Sequence, residues 1–207
     1  MTPIQALRYL QGFAYGDGWI HNKLERFKLH VYDSGFARKV RRLHWKIKAK
    51  LGLFGSEWQG VDHRTGRPVW IFEVGGRIAT EHLDLSLLKS SEGLFFLAGL
   101  WDADGSWAPP DESHPLGQSR LFGGYHTIRY AKRGMRRIWG FATGRMYIAT
   151  PKGHISKIGD HVIHTRENVY GAGVLSRSMV AWVELVGGKM LLKKRAVLTP
   201  HLDCKVV

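Results

Sequence analysis

The sequence predicts an α+β fold built twice over, from an N-terminal half at residues 1–89 and a C-terminal half at residues 90–207. Two observations lead there. A nonapeptide occurs as Leu10-Gln11-Gly12-Phe13-Ala14-Tyr15-Gly16-Asp17-Gly18 and again as Leu97-Ala98-Gly99-Leu100-Trp101-Asp102-Ala103-Asp104-Gly105, so that Asp17 and Asp104 lie 104 − 17 = 87 residues apart in a chain of 207. After each copy, alternating apolar stretches and amphipathic stretches recur in the order αββαββα.

Composition narrows the function. With 44% hydrophobic residues the chain can bury a sizeable core. Lys and Arg number 31 against 17 acidic residues, and the net charge of +14 suits a polyanion binder: nucleic acid first, with basic ribosomal or membrane-surface proteins as alternatives. The single Cys204 excludes an internal disulfide framework and fits a reducing compartment. The longest uncharged apolar stretch, Gly93 to Trp101, is too short to span a bilayer, and no secretion signal is visible. The expectation is a soluble, intracellular protein of the cytoplasm.

In the first half, Thr2-Pro3-Ile4-Gln5 has the form of a capping box and starts a helix through Leu7, Leu10 and Ala14 that stops near Gly18. Asp17 then sits at the C-terminal end, where the helix dipole disfavours a carboxylate unless a cation is near. Gly12 and Gly16 share one face of this helix, as Gly99 and Ala103 share one face of the other. Packing through these small residues brings Asp17 beside Asp104. Two close carboxylates repel, which a divalent metal relieves; Asp17, Asp104, Gly16 and Ala103 are the expected metal-binding positions.

Trp19 to Leu24 and Phe27 to Tyr32 read as a hairpin whose buried phase is Phe27, Leu29 and Val31. Ser34 to Leu51 is an amphipathic helix with Phe36, Val40, Leu43 and Ile47 as its apolar stripe. Trp58 to His63 and Pro68 to Gly75 form a second hairpin, and Gly75-Gly76 turns the chain into a helix from Ile78 to Leu88.

The second half opens on Ser90-Ser91-Glu92, N-cap candidates and a first-turn acid. Matching Gly35 with Gly134 gives an offset of 134 − 35 = 99, which implies a 99 − 87 = 12-residue insertion, assigned to 108–118. Strands are then expected at Ser119 to Phe122 and Tyr125 to Ala131, a helix from Gly134 to Thr143, and strands at Arg145 to Thr150 and His161 to Tyr170, with Pro151 to Asp160 as an exposed connection. Gly171-Ala172-Gly173 reads as a turn before a helix from Ser176 to Val186, and Lys189 to Val207 as a basic, apolar tail. His154, His161 and His164, or His201 with Cys204, lack the spacing of a zinc site.

Leu97 to Gly105 resembles the signature nonapeptide of the LAGLIDADG homing endonucleases at every position but Trp101, and Leu10 to Gly18 matches it more loosely. The chain resembles the single-chain, two-motif kind, and in its length the compact archaeal intron-encoded members. The resemblance implies pseudo-twofold halves joined through the motif helices and two saddle-shaped antiparallel sheets that grip double-stranded DNA. It also implies Mg²⁺ (with Mn²⁺ able to substitute) at Asp17 and Asp104, and cleavage leaving short 3′ overhangs. Members often carry glutamine or lysine near the end of the second strand and lysine soon after the second acid. Val31, Tyr130 and Trp107 stand at those positions here, leaving Lys132, Lys28 and Asp33 as candidate auxiliaries.

DNA contacts are expected from Trp19, His21, Lys23, Lys28, His30, Trp58, Gln59, Arg67, Trp70, Arg120, Tyr125, Arg129, Arg145, Tyr147, His164 and Arg166. The expected function is a monomeric, Mg²⁺-dependent, site-specific DNA endonuclease that promotes intron mobility in an archaeal or bacterial host, an organelle being the alternative setting. The competing readings are an RNA maturase acting on intron RNA and a DNA-binding derivative that does not cleave.

Overall fold

Thr2 caps the first helix as its sequence requires: its hydroxyl accepts from the Gln5 amide at 3.2 Å while the Gln5 side chain accepts from the Thr2 amide at 2.8 Å. A computed structural model describes residues 1–63, 65–80, 87–108, 111–158 and 161–191. Helix α1 (Pro3–Asp17) runs into β1 (Gly18–His21), which pairs with β2 (Arg26–Val31). Helix α2 (Ser34–Leu51) follows, then β3 (Phe54–Val61) and β4 (Pro68–Gly75). The pattern restarts with α3 (Ser91–Asp104), β5 (Gly105–Ala108), β6 (Gln118–Gly123) and α4 (Tyr125–Arg137). The strands β7 (Tyr147–Thr150), β8 (Ile155–Ile158), β9 (His161–His164) and β10 (Val169–Val174) precede α5 (Ser176–Leu185).

Two four-stranded antiparallel sheets result, ordered β1-β2-β4-β3 and β5-β6-β10-β7. The second order repeats the first element for element. Alternation decides which face is buried: Phe27, Leu29 and Val31 are at most 2% exposed, while Lys28 and His30 between them are half-buried. In the second sheet Ser119, Leu121, Ala172 and Val174 take the buried phase. One hydrophobic cluster runs through α1 and α3 and joins residues of both sheets.

The second half departs from the sequence reading in its middle. Tyr125 to Ala131 is not a strand but the start of α4, and the helix expected over 134–143 ends at Arg137. Ile128, Ala131 and Met135 are buried at helical spacing, which outweighs the short apolar alternation around Tyr130. The Gly35 match to Gly134 misaligned the halves: Gly35 lies in the first turn of α2, whereas Gly134 lies in the last turn of α4, where a methyl group would stand 2.0 Å from Leu88 Cδ1. The sheet register gives the true offset. Gly18 opposes Leu29 and Gly105 opposes Leu121, so β6 is displaced from β2 by 121 − 29 = 92, and the insertion is 92 − 87 = 5 residues rather than 12.

The connection at 151–160 contains β8, paired with β9, and the single strand expected over 161–170 is divided between β9 and β10. Gly153 at φ +84° makes the turn into that hairpin. Gly171-Ala172-Gly173 lies inside β10 rather than in a turn, and β3 begins at Phe54, ahead of Trp58. Arg77–Thr80 and Leu87–Lys89 are short 3-10 turns at the ends of the expected 78–88 helix, whose residues 81–86 lie outside the described residues, as do 192–207 with His201 and Cys204.

Asp102, two positions before the second acid, is buried at 1% exposure. It accepts a hydrogen bond from the Tyr9 hydroxyl at 2.6 Å and another from the Leu191 amide at 2.6 Å, fastening the chain after α5 onto both motif helices. Burial, and then the neighbouring carboxylate, push the Tyr9 phenol well above its ordinary range. Tyr9→Phe removes one donor from a buried carboxylate and is expected to cost about 1–3 kcal/mol, read as a lowered urea midpoint. An unchanged midpoint would show that Asp102 does not depend on Tyr9.

Candidate catalytic carboxylates and nucleic-acid interface

The site begins with four glycine-class positions. A methyl group on Gly12 would stand 2.0 Å from the Phe96 carbonyl oxygen, and one on Gly99 would stand 2.0 Å from that of Tyr9. These are the same contact viewed from its two sides, since 99 − 12 and 96 − 9 both equal 87. One turn further on, a methyl on Gly16 would lie 2.5 Å from Ala103 Cβ and 2.9 Å from Asp104 Oδ2. The C-terminal ends of α1 and α3 therefore touch, and Asp17 and Asp104 are the residues that follow the touching pair.

The glycine after each acid has a steric reason. Gly18 is extended, and a methyl there would meet the carbonyl oxygens of Lys28 and Ala14 at 2.5 and 2.7 Å as the helix passes directly into a strand. Only a residue without Cβ makes that exit.

Asp104 is half-buried, its Oδ2 also 3.6 Å from the Cβ position of Gly123. Asp17 is exposed and opens into a cleft of about 630 Å³ shared with His30, Val61, Asp62, His63 and Ile71. Asp62 is fixed by the Tyr32 hydroxyl at 2.7 Å, and Arg67 lies over the Tyr32 ring at 5.6 Å.

A metal suits this arrangement. Among the described residues no group of three or more His, Cys, Asp or Glu could hold one. The chain instead offers two carboxylates at helix ends that are already negative, with a small-residue cradle around Asp104. Mg²⁺ is commonly held in this way, by one or two carboxylates with substrate phosphates and water completing the shell.

The candidate auxiliaries lie elsewhere. Lys28 Nζ is 3.0 Å from Glu73 Oε2 and sits between the rings of Trp19 and Trp58, at 5.5 and 5.4 Å. Asp33 caps α2, accepting from the Phe36 amide at 2.6 Å. Lys132 is on α4, in a separate cleft with Arg129 and Arg133. Sequence reasoning missed Asp62 and His63, and gave His30 only a DNA-contact role. Phe122 is the counterpart of His30 in the second half, since 122 − 30 = 92, so the two halves differ beside their acids.

The face of the first sheet away from the helices carries Trp19, His21, Lys28, His30 and Trp58, with Arg26 and Lys28 held by Glu73. Lys23 is exposed in the turn after β1. Gln59 and Trp70 oppose each other in the phase of Val31, on the helix side, which removes them from that face. On the second sheet Arg120 and Tyr147 take the outer phase, Arg145 precedes β7, and His164 and Arg166 lie at the end of the β8–β9 hairpin. Tyr125 and Arg129 are on α4 and leave the strand set.

No protein-family profile matches the sequence, and no curated protein matches it. Among solved structures, a mesophilic variant of the homing endonuclease I-DmoI superposes with a TM-score of 0.59 at 13% identity, over 89% of this chain and 96% of that one. The fold is similar to the LAGLIDADG fold of I-DmoI. An I-DmoI variant in complex with its target DNA and in the presence of manganese gives a TM-score of 0.58 at 12% identity, covering 89% of this chain and 94% of that one. The N-terminal LAGLIDADG domain of WhiA gives 0.53 at 13% identity, covering 90% and 84%.

Proposed function

We propose that this protein is a single-chain, two-motif LAGLIDADG endonuclease, with halves at 1–89 and 90–207, that cuts both strands of a specific DNA site as a monomer, leaves short 3′ overhangs and so promotes intron mobility. The observation that carries the reading is the contact of α1 with α3 at Gly16 and Ala103, each followed directly in the chain by an acid, Asp17 and Asp104. The fold alone does not carry it, because WhiA shares that fold. I-DmoI in complex with target DNA supports duplex DNA as the partner, and the manganese present there supports a divalent cation.

Asp17 and Asp104 would hold Mg²⁺ or Mn²⁺. When bound, the ion supplies Lewis-acid polarisation of the phosphoryl oxygens. His30, Asp62 and His63, in the cleft with Asp17, carry groups able to accept a proton from an attacking water on that side. Trp19, Lys28 and Trp58 on one sheet and Arg120 and Tyr147 on the other supply base and phosphate contacts, with the +14 charge drawing DNA onto them.

The test is selection on a randomised duplex library with Mg²⁺, sequencing the cut products. One enriched site with staggered ends is expected. DNA retention without any cut product would favour the non-cleaving reading, and intron splicing undiminished in an Asp17→Asn/Asp104→Asn double variant would favour the maturase.

A further inference from the structure

The cations of the two basic helices are treated differently by the fold. On α2 four of the seven are partnered within the chain: Arg41 Nε is 3.0 Å from Glu57 Oε1, Lys48 donates to the Gly55 carbonyl at 2.6 Å, and Lys39 and Lys46 donate to the carbonyls of Leu191 and Met1. Arg129, Lys132, Arg133, Arg136 and Arg137 of α4 instead line one cleft of about 480 Å³ together with Tyr125. No acidic partner for any of the five is found among the described residues, and Arg129 alone has a neighbour of note, 5.9 Å over the Tyr125 ring.

Five like charges on two turns of one helix repel one another, and a bound polyanion relieves that repulsion. From residue 129 to 137 the helix rises about 12 Å, room for two or three consecutive phosphates of a nucleic-acid strand. At the N-terminal end of the row Tyr125 is 38% exposed, with its ring held edge-on by Tyr170 at 5.3 Å. A ring fixed in this way beside a cationic track is what a strand with unpaired bases uses, the backbone following the charges and a base stacking on the ring.

The cleft also faces away from the outer surfaces of the sheets. Helix α4 buries Ile128, Ala131 and Met135 over the sheet side that carries Leu121 and Ala172, while Arg120 and Tyr147 are on the other side. A duplex lying across the outer sheet faces does not reach it. We propose that the α4 cleft is a second nucleic-acid site, specific for single-stranded RNA or DNA and independent of the carboxylate site. Its existence does not rest on the endonuclease reading.

The test is fluorescence anisotropy of the intact chain with labelled oligo(U) and oligo(dT) over a salt series. The exposed triple Arg133→Ser/Arg136→Ser/Arg137→Ser is expected to lose at least about tenfold in affinity and to flatten the log–log salt slope by about 2, three charges at roughly 0.7 each. Tyr125→Ala is expected to weaken binding about five- to a hundredfold with the slope unchanged. An equal charge deletion on α2, Arg38→Ser/Arg42→Ser/Lys50→Ser, should cost less than about twofold in comparison with that loss. The tighter of the two oligonucleotides names the source of the strand. Equal losses from both triple variants, or a Tyr125→Ala protein that binds like the wild type, overturn the proposal.

Discussion

Replacing Asp104 by Asn is expected to lower the cleavage rate by more than about 100-fold, because a metal held by carboxylates contributes several kcal/mol at the transition state and each 1.36 kcal/mol is tenfold. Asn matches Asp in shape, so this half-buried side chain still fits beside Gly16 and Gly123 while its negative charge is lost. Asp17→Asn, at the exposed counterpart, is expected to act similarly. Duplex binding should survive in both variants, since its phosphate and base contacts come from the sheet faces. A second readout separates metal binding from folding. Mg²⁺ at concentrations well above its dissociation constant raises the thermal midpoint of a protein that binds it. The wild type should show this rise and the double variant should not. Undiminished cleavage by both single variants would remove the carboxylates from the chemistry, whatever the fold.

Local chemistry was readable wherever a few adjacent residues decide the outcome. The Thr2–Gln5 capping box fixes the start of α1, and the stripe Phe36, Val40 and Ile47 fixes α2 from Ser34 to Leu51. The spacing of Gly12 and Gly16, repeated at Gly99 and Ala103, was enough to predict the helix contact. Features made by convergence of distant segments were not readable. His30 is next to last in β2 and Asp62 and His63 follow β3, so they meet Asp17 only through the antiparallel register of β2, β4 and β3. Asp102 looked like one more residue of the motif until Tyr9 and Leu191 closed on it. At α4 the sequence was ambiguous in itself: Tyr125 to Ala131 alternates well enough for a strand, and burial of Ile128, Ala131 and Met135 decides for the helix.

Gly12→Ala is expected to destabilise the fold by about 3 kcal/mol or more, at the upper end of what overpacking costs. The added carbon would lie 2.0 Å from the Phe96 carbonyl oxygen and 3.0 Å from the Leu100 nitrogen, both backbone atoms of α3, so no side chain can move aside and the two helices must separate. For a domain of this size that loss corresponds to a drop in thermal midpoint of roughly 6–12 °C. Gly99→Ala should match it, since it meets the Tyr9 carbonyl at the same 2.0 Å. Gly188→Ala, with no atom within 4 Å of the new carbon, is the control and should melt with the wild type. Gly16→Ala discriminates between the two jobs of the interface. Its carbon makes less close contacts, the backbone-fixed Ala103 Cβ at 2.5 Å and Asp104 Oδ2 at 2.9 Å, and of these only the Asp104 carboxylate can yield by rotating. Its stability loss should therefore be smaller than that of Gly12→Ala, while the displaced carboxylate costs activity, about 100-fold for a misplacement near 1 Å. If Gly12→Ala melts with the wild type, or Gly16→Ala cuts at the wild-type rate, the close approach of α1 and α3 is not what sets the two acids.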